Sequence, residues 1–269
     1  MREDTKEDAE ELVHGVVIVH WNPLRNLPTT GAPGLVNNFG DLLGPLIVHK
    51  LVETLTPTVA AHATRRLLTV GSIAHLAHDD DVVWGSGVNG KVPIDEIRAQ
   101  RLDIRAVRGP RTRTILRRLG HSVPPTYGDP ALLLPRLFPE VSEWSRHKTR
   151  PVTIIPNLND EQVWPPDNRT VSARGNVWEV IRAIAESEFV IGSSLHAIIV
   201  AEALGVPARP CLSETENRLK YDDYFEGTAR KNVVLADGAA EAFALGPVEK
   251  GDIDLESLRA SFPVDLWAG

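Results

Sequence analysis

The pattern of apolar and polar residues alternates between two periods along this chain. Short apolar runs that end near glycine or a polar turn predict buried strands at residues 16–19, 67–70, 82–84, 102–107, 152–155, 189–192 and 207–211. Apolar positions at helical spacing predict helices at residues 41–55, 110–119 and 177–187, and a further helix from about residue 195. Because strands that alternate with helices are typical of parallel sheets, the pattern predicts an α/β fold.

A proline-rich and irregular passage at residues 122–139 interrupts this alternation. We therefore expect two Rossmann-like domains, residues 1–145 and residues 146–269, the second with terminal helices. With 269 residues, of which 42% are hydrophobic, the chain is long enough for two domain cores. Ligands of such sheets bind beyond the carboxyl ends of the strands, so two facing domains predict a cleft between them. Polar residues follow predicted strands at 71–72, 85–87, 108–112, 156–157 and 193–196.

Charge and composition narrow the classes of partner. The net charge of −7 and the absence of a lysine-rich stripe argue against a nucleic-acid surface. The single cysteine, Cys211, cannot form an internal disulfide, and residues 2–8 look like an acidic solvated tail without a signal-peptide hydrophobic region. No apolar run approaches the roughly 20 residues of a membrane span. The sequence thus predicts a cytoplasmic protein. Any contact with the inner face of the membrane would be peripheral or through a lipid-linked substrate.

The segment 189–205 has the strongest chemical signal. It is predicted to form a buried strand, a small-residue turn and a helix whose first turn contains His196. The hydroxyls of Ser193 and Ser194 would lie beside backbone N–H groups that have no partner within the helix. This combination can bind an anion and move a proton. The alternative is that one serine caps the helix and that His196 is a core residue.

Arg108 is a second candidate, because it ends a predicted strand just before a helix that begins at Pro110. A planar cation and free backbone N–H groups would then face the same anion, such as a phosphate or carboxylate. The alternative is a surface arginine in a run of basic residues on the solvated helix face. Near the start of the chain, Asn38 or Asp41 could either cap the first long helix or hold a substrate hydroxyl.

Two further patterns suggest cofactors only weakly. The run from Gly85 to Gly90 satisfies G-x-G-x-x-G after a strand, but Pro93 interrupts the helix that a dinucleotide site needs. Its glycines more readily allow backbone to approach a ligand or another loop. His75 and His78 have a spacing that could suit zinc, yet the acidic triplet that follows them is typical of a solvated turn. We therefore expect neither a cofactor nor a metal.

Taken together, these segments resemble the polysaccharide pyruvyl transferase family, in particular the bacterial members that act in exopolysaccharide assembly. The resemblance covers most of residues 16–226, and the joint occurrence of its motifs carries it. The matching segments are Asn38-Phe39-Gly40-Asp41, Trp84-Gly85-Ser86-Gly87, Val107-Arg108-Gly109, Tyr127-Gly128-Asp129-Pro130, Ser193-Ser194-Leu195-His196 with the following Ala201–Pro207, and Tyr221-Asp222-Asp223-Tyr224-Phe225.

The resemblance implies a fold like that of two-domain GT-B glycosyltransferases. It implies transfer of a pyruvyl group from phosphoenolpyruvate to a saccharide acceptor, which forms a cyclic ketal across two hydroxyls. His196 would then be the acid/base group, a role that suits histidine near neutral pH, and Arg108 would hold the phosphate or carboxylate of the donor. The remaining substrate-binding candidates are Asn38, Gly40, Asp41, Gly85, Ser86, Gly87, Ser193 and Ser194.

One departure from the family concerns the donor. Many relatives have arginine at the position of Ser194, two residues before the histidine. A donor with two anionic groups would then need another cation, for which Arg111, Arg218 and Lys220 are the candidates. Two other functions stay open at this point: a sugar-nucleotide glycosyltransferase with the same architecture, and a non-catalytic carbohydrate-binding or assembly protein.

Overall fold

Two sheets of mainly parallel strands, with helices packed against them, form the fold. The computed structural model describes residues 8–26, 33–55 and 65–267. The strands are β1 (Asp8–Val13), β2 (Val16–Trp21), β3 (Leu24–Asn26), β4 (Pro33–Leu35), β5 (Arg66–Leu68), β6 (Asp81–Trp84), β7 (Leu102–Ala106), β8 (Arg150–Ile154), β9 (Ser187–Gly192) and β10 (Ala208–Pro210). The α-helices are α1 (Phe39–Glu53), α2 (Pro110–Arg118), α3 (Leu134–Leu137), α4 (Pro139–Trp144), α5 (Val177–Ala185), α6 (Leu195–Ala203), α7 (Leu219–Gly227), α8 (Ala239–Leu245) and α9 (Leu255–Ala260).

The first sheet has the strand order β1-β2-β5-β6-β7, and the second has the order β10-β9-β8. All neighbouring strands are parallel except β1, which pairs with β2 in antiparallel register. The short strands β3 and β4 form a separate antiparallel pair. The predicted α/β class is therefore confirmed. Because parallel strands need crossover connections, helices such as α1, between β2 and β5, and α6, between β9 and β10, lie against the sheets.

The largest apolar core joins the two halves of the chain. It contains Ile18 and Phe39 from the first half and Ile184, Val190 and Ile198 from the second. Helix α1 packs against β2 and also against α5, so it is shared by both halves. The predicted division at residue 145 falls between α4 and β8 and stays a prediction.

Sequence and structure differ in two places. The passage 122–139, predicted to be irregular, contains a 3₁₀ turn at Pro130–Leu133 followed by α3, and α4 begins at its end. Each of these short helices has a proline in its first turn, where the missing N–H has no partner to lose. The edge strand β1 was not predicted. A strand with one side exposed to solvent contains charged residues, so it lacks the continuous apolar run by which the other strands were predicted. The predicted acidic tail lies outside the described residues, apart from Asp8.

No helix within residues 8–26, 33–55 and 65–267 is long and apolar enough to cross a membrane.

Candidate active site

A cavity of about 300 Å³ lies where the two halves of the chain meet. It is formed by polar side chains that follow strands, together with the first turns of α1 and α6. This is the location predicted for a ligand of parallel sheets. The polar and charged lining residues are Asn38, Asp41, Ser72, His75, Asn89, Lys91, Asn157, Asn159, Ser194, His196, Glu216 and Lys220.

The N-termini of α1 and α6 meet in this cavity. A Cβ atom placed on Gly40, in the first turn of α1, would lie 2.1 Å from Nδ1 of His196, in the first turn of α6. Glycine at position 40 is therefore what allows the imidazole to lie against the helix. Because the N-termini of both helices lie at the cavity and are the positive ends of the helix dipoles, the cavity favours an anionic ligand.

His196 has a side chain that is 13% exposed, and a buried carboxyl group lies close to it. Its Nε2 is 3.7 Å from Oδ2 of Asp129, which is fully buried. On the cavity side is Asp41, which accepts a hydrogen bond of 2.7 Å from the Asn38 amide. Burial raises the pKa of Asp41, although His196, Asn38 and Lys220 act in the opposite direction. His196 is thus a cavity residue that has the Asp129 carboxylate near its Nε2 and shares the cavity with Asp41.

The two serines of the same turn have different surroundings. Ser194 caps α6 by accepting the N–H of Ala197 at 3.4 Å, and it also lines the cavity. Ser193 is fully buried; its hydroxyl donates to Asp160 at 2.5 Å and accepts the backbone N–H of Asn157 at 2.9 Å. Ser193 consequently holds the end of β9 to the loop after β8.

Lys220 is the predicted extra cation that reaches the cavity. It is 6% exposed, and its Nζ lies 3.1 Å from Glu216, which also binds Nζ of Lys91 at 2.5 Å. Desolvation lowers the pKa of Lys220, although Glu216 opposes that shift. Two lysines share one carboxylate here, so the cluster has an excess positive charge next to the cavity.

Comparison with known proteins decides the family. The model of the polysaccharide pyruvyl transferase family matches residues 66–214, which is more than half of the chain. The chain belongs to this family. It is also 31% identical over 220 residues to the succinoglycan biosynthesis protein ExoV of Rhizobium meliloti (strain 1021), a match that covers 77% of this chain and 65% of that relative. The chain thus spans about two thirds of the length of the curated relative. No solved structure matches it.

The part that matches the polysaccharide pyruvyl transferase model includes Arg108, Ser194 and His196, whereas Asn38, Asp41 and Lys220 lie outside it. Within this family member, the cavity therefore combines residues from the matched part with residues on either side. Its lining draws on α1 before the matched region and on α7 after it.

Arg108 has a different environment from the other predicted site residues. It is 1% exposed, so the interpretation as a surface arginine is wrong. Its guanidinium donates to Asp223 at 3.1 Å, to the carbonyl of Val88 at 2.9 Å and to the hydroxyl of Ser72 at 2.5 Å. Arg108 does not line the cavity itself, but Ser72 does. The predicted contact between Arg108 and the donor stays a prediction. Ser72, which accepts a hydrogen bond from Arg108 and lines the cavity, would connect Arg108 to a bound ligand.

The glycine-rich loop supports this buried arginine. A Cβ on Gly87 would lie 2.4 Å from Cζ of Arg108, and a Cβ on Gly85 would lie 2.3 Å from Pro130. Gly85 also has a φ of +86°, which favours glycine. The hydroxyl of Ser86 donates to the carbonyl of Gly71 at 3.1 Å. These residues allow close approach of other protein segments, and none of them lines the cavity.

The other two candidate cations lie on the surface. Arg111 pairs with Asp222 at 3.1 Å and with Glu226 at 2.7 Å. Arg218 pairs with the same Asp222 at 3.1 Å, and its side chain is half exposed. Neither lines the cavity.

The sequence analysis placed Ser72 and Asn157 among the polar residues at strand ends, without a role for either, and the structure brings both to the cavity. Other lining residues were missed. Asn89, Lys91 and Glu216 lie in loops, and no local pattern identifies them. His75 reaches the cavity, where its Nδ1 is 3.4 Å from the Asn89 amide, whereas His78 is exposed.

Proposed function

We propose that this protein transfers a pyruvyl group from phosphoenolpyruvate to a saccharide of an exopolysaccharide or its lipid-linked precursor, forming a cyclic ketal. The observation that carries the proposal is the cavity in which the N-termini of α1 and α6, His196 and Lys220 converge. The helix N-termini and Lys220 provide an anion-binding surface, and His196 beside them provides a group for proton transfer. The proposal is also supported by the family, since the chain belongs to a family of pyruvyl transferases. The name of the relative, a succinoglycan biosynthesis protein, supports a polysaccharide acceptor.

The donor has two anionic groups, a carboxylate and a phosphate. We propose that one lies at the N-terminus of α6, where Ser194 stands, and that the other lies near Lys220. Lys220 then supplies the cation that many relatives have at the position of Ser194. A buried cation that shares its carboxylate with a second lysine can attract an anion without leaving Glu216 unpaired.

The reaction forms two C–O bonds and breaks one. The methylene carbon of phosphoenolpyruvate gains a proton and becomes a methyl group, while a sugar oxygen bonds to C2. The bond between C2 and the phosphate oxygen breaks, and a second sugar oxygen bonds to C2. Of the two hydroxyl protons released, one is equivalent to the proton gained by carbon and the other leaves with phosphate. His196 accepts a hydroxyl proton and delivers a proton, which is general acid–base catalysis.

This chemistry needs no redox cofactor, and we propose none. We also propose that the two sheets form a GT-B-like arrangement, since the cavity is lined by side chains from both halves of the chain. The expected location is the cytoplasm, with peripheral contact at the inner face of the membrane where a lipid-linked acceptor would be reached.

A thermal-shift titration with phosphoenolpyruvate tests the proposal, with UDP and GDP in parallel. We expect phosphoenolpyruvate to raise the melting temperature of the wild type, and we expect this increase to be smaller in Lys220→Met. Incubation with phosphoenolpyruvate and saccharide acceptors should release inorganic phosphate, and His196→Gln should lower that rate by about 10²-fold or more. Stabilisation by a nucleotide without any response to phosphoenolpyruvate would overturn pyruvyl transfer in favour of glycosyl transfer.

A further inference from the structure

Asp129 has a carboxylate oxygen without a hydrogen bond. Its Oδ1 accepts the backbone N–H of Ala131 at 3.0 Å and so caps the 3₁₀ turn Pro130–Leu133. Its Oδ2 has no hydrogen-bond partner in the part of the chain that the structure describes. The whole residue is fully buried. Capping needs one oxygen, so the second oxygen is buried at a cost that capping does not explain.

The imidazole of His196 faces this second oxygen. Nε2 of His196 lies 3.7 Å from Oδ2 of Asp129. The 3₁₀ turn that begins after Asp129 packs against α6, so backbone packing determines the separation of the two side chains. An approach of about 0.5–1 Å would give an ordinary N–H···O hydrogen bond. Hydrogen bonds in catalytic sites are often long before the substrate binds and shorten in the complex.

The other ring nitrogen of His196 lies on the side of α1. Gly40 has no side chain there, and a Cβ atom would occupy a point 2.1 Å from Nδ1. Asn38 and Asp41, from the same turn of α1, line the cavity. Nδ1 therefore lies against the first turn of α1, the turn whose Asn38 and Asp41 line the cavity, whereas Nε2 is directed at a buried carboxylate.

We propose that Asp129 is a positioning residue for His196. Its carboxylate accepts a hydrogen bond from the N–H group at Nε2 and so fixes the neutral imidazole in the tautomer whose Nδ1 has a free lone pair. Nδ1 then takes a proton from the acceptor hydroxyl, and the Asp129 carboxylate offsets the positive charge that forms on the ring. The proton moves from the hydroxyl oxygen to Nδ1 while the oxygen bonds to C2 of the donor, whose double bond to the methylene carbon has given way because that carbon has taken up a proton. This role rests on the proposed function for its substrate, but the tautomer is a property of the free protein.

The first test is the tautomer of His196 in the wild type. Long-range ¹H–¹⁵N NMR spectra of protein labelled at histidine nitrogen distinguish a protonated from an unprotonated ring nitrogen, and the signals missing in His196→Gln identify this residue. At a pH where the ring is neutral, we expect the proton on Nε2. A proton on Nδ1 would overturn the inference, and no variant at position 129 is needed for that result.

The second test is Asp129→Asn. The Asn oxygen can still accept the N–H of Ala131, so the cap is kept. Its NH₂ group would instead donate to Nε2 of His196 and move the ring proton to Nδ1. We expect the NMR signals to report that change, together with a fall in turnover of about 10²-fold or more and little change in melting temperature. An unchanged tautomer with turnover within about threefold of the wild type would contradict the inference.

Asp254→Asn is the matched control. Asp254 caps α9 by accepting the N–H of Ser257 at 2.9 Å, so the substitution changes a cap of the same kind. We expect it to alter neither the tautomer of His196 nor turnover. Failure of the proposed function is recognised separately: the wild type would then release no phosphate from phosphoenolpyruvate, whatever tautomer His196 has.

Discussion

Two buried cations, Arg108 and Lys220, lie in surroundings of opposite kinds. The Arg108 guanidinium is enclosed by Asp223, Ser72 and the Val88 carbonyl, and it does not border the cavity. Lys220 shares Glu216 with a second lysine and does border the cavity. We call these the closed cluster and the open cluster. The difference shows that burial and charge alone do not place a cation at the cavity: both side chains are buried, but only Lys220 lines it.

The closed cluster also connects distant parts of the fold. Asp223 binds Arg108 and accepts both the N–H and the hydroxyl of Thr112, so one carboxylate of α7 holds the end of β7 and the start of α2. Its bonds are all within the protein. We therefore expect substitutions in the closed cluster to affect stability first and those in the open cluster to affect ligand binding first.

The largest expected effect is the loss of stability in Arg108→Met. The substitution leaves Asp223 as an uncompensated buried charge, which costs about 3–5 kcal/mol. Denaturant unfolding should show this decrease in the free energy of unfolding. Arg111→Met, three residues further along the chain, is the control, because it removes two partly exposed ion pairs, with Asp222 and Glu226, each of which contributes less than about 1 kcal/mol. Equal losses in the two variants would remove the distinction between the clusters.

Gly40→Ala tests the close contact between α1 and His196, and its expected effect is on activity. The new Cβ would require the His196 ring to move, since it would lie 2.1 Å from Nδ1. We expect turnover to fall by about 10²-fold, comparable to the removal of a general acid–base group. Phosphate release from phosphoenolpyruvate measures this effect.

Gly44→Ala is its control on the same helix. Its Cβ would meet a methyl group of Thr69 at 2.9 Å and not the imidazole. Both variants gain helix propensity and both add a crowded methyl group. If Gly44→Ala lost as much activity as Gly40→Ala, the decrease would be an effect of overpacking in α1 and would say nothing about His196.

How much of this site was predictable depends on the distance along the chain between its members. The strand, turn and helix around His196 are local, and the sequence predicted them, with a cap by one of the two serines as an alternative; the structure shows that Ser194 is the cap. Whether Arg108 is buried and bonded within the protein depends on Asp223, which is 115 residues further along the chain. The pairing of Lys91 with Glu216 spans 125 residues. No period or turn signal contains such pairings, because the packing of α7 and of the loop before it creates them.

The same reasoning applies to the fold. Buried parallel strands have continuous apolar runs, so β2, β6 and β9 could be predicted from the sequence. The edge strand β1 could not, because exposure on one side removes that signal. The sharing of α1 between β2 and α5 could not be predicted either, since a helix buried on several sides has no single apolar face that names its partner.

Lys220→Met should mainly weaken donor binding. Removing the charge leaves Glu216 paired with Lys91, so we expect a small change in stability. The affinity for phosphoenolpyruvate should fall by about 10-fold, the effect of losing one charge-assisted hydrogen bond. Isothermal titration or thermal-shift titration measures it. Lys148→Met is the control, since Lys148 is also partly buried but donates to the carbonyl of Ala185 away from the cavity. An unchanged affinity would mean that Lys220 does not hold the donor.

The smallest expected effect is a gain in stability when the carboxylate of Asp41 is replaced. This carboxylate lines the cavity, and its burial there lowers the stability of the folded protein. Burial raises its pKa above the usual 3.8. The folded state therefore binds more protons than the unfolded state at pH values just above 3.8, and stability decreases as pH rises through the pKa of the folded state. Asp41→Asn keeps an acceptor for Asn38 but lacks this loss of stability, so it should be more stable than the wild type, by about 1.4 kcal/mol for each unit by which the pKa is raised.

Unfolding of wild type and Asp41→Asn measured from pH 3 to pH 8 should show this gain appear above about pH 4 and then become constant. Asp254→Asn should show the opposite trend, since hydrogen bonds to Ser257 lower the pKa of Asp254. If the two variants had the same pH dependence, burial in the cavity would not be what distinguishes Asp41 from an exposed helix cap.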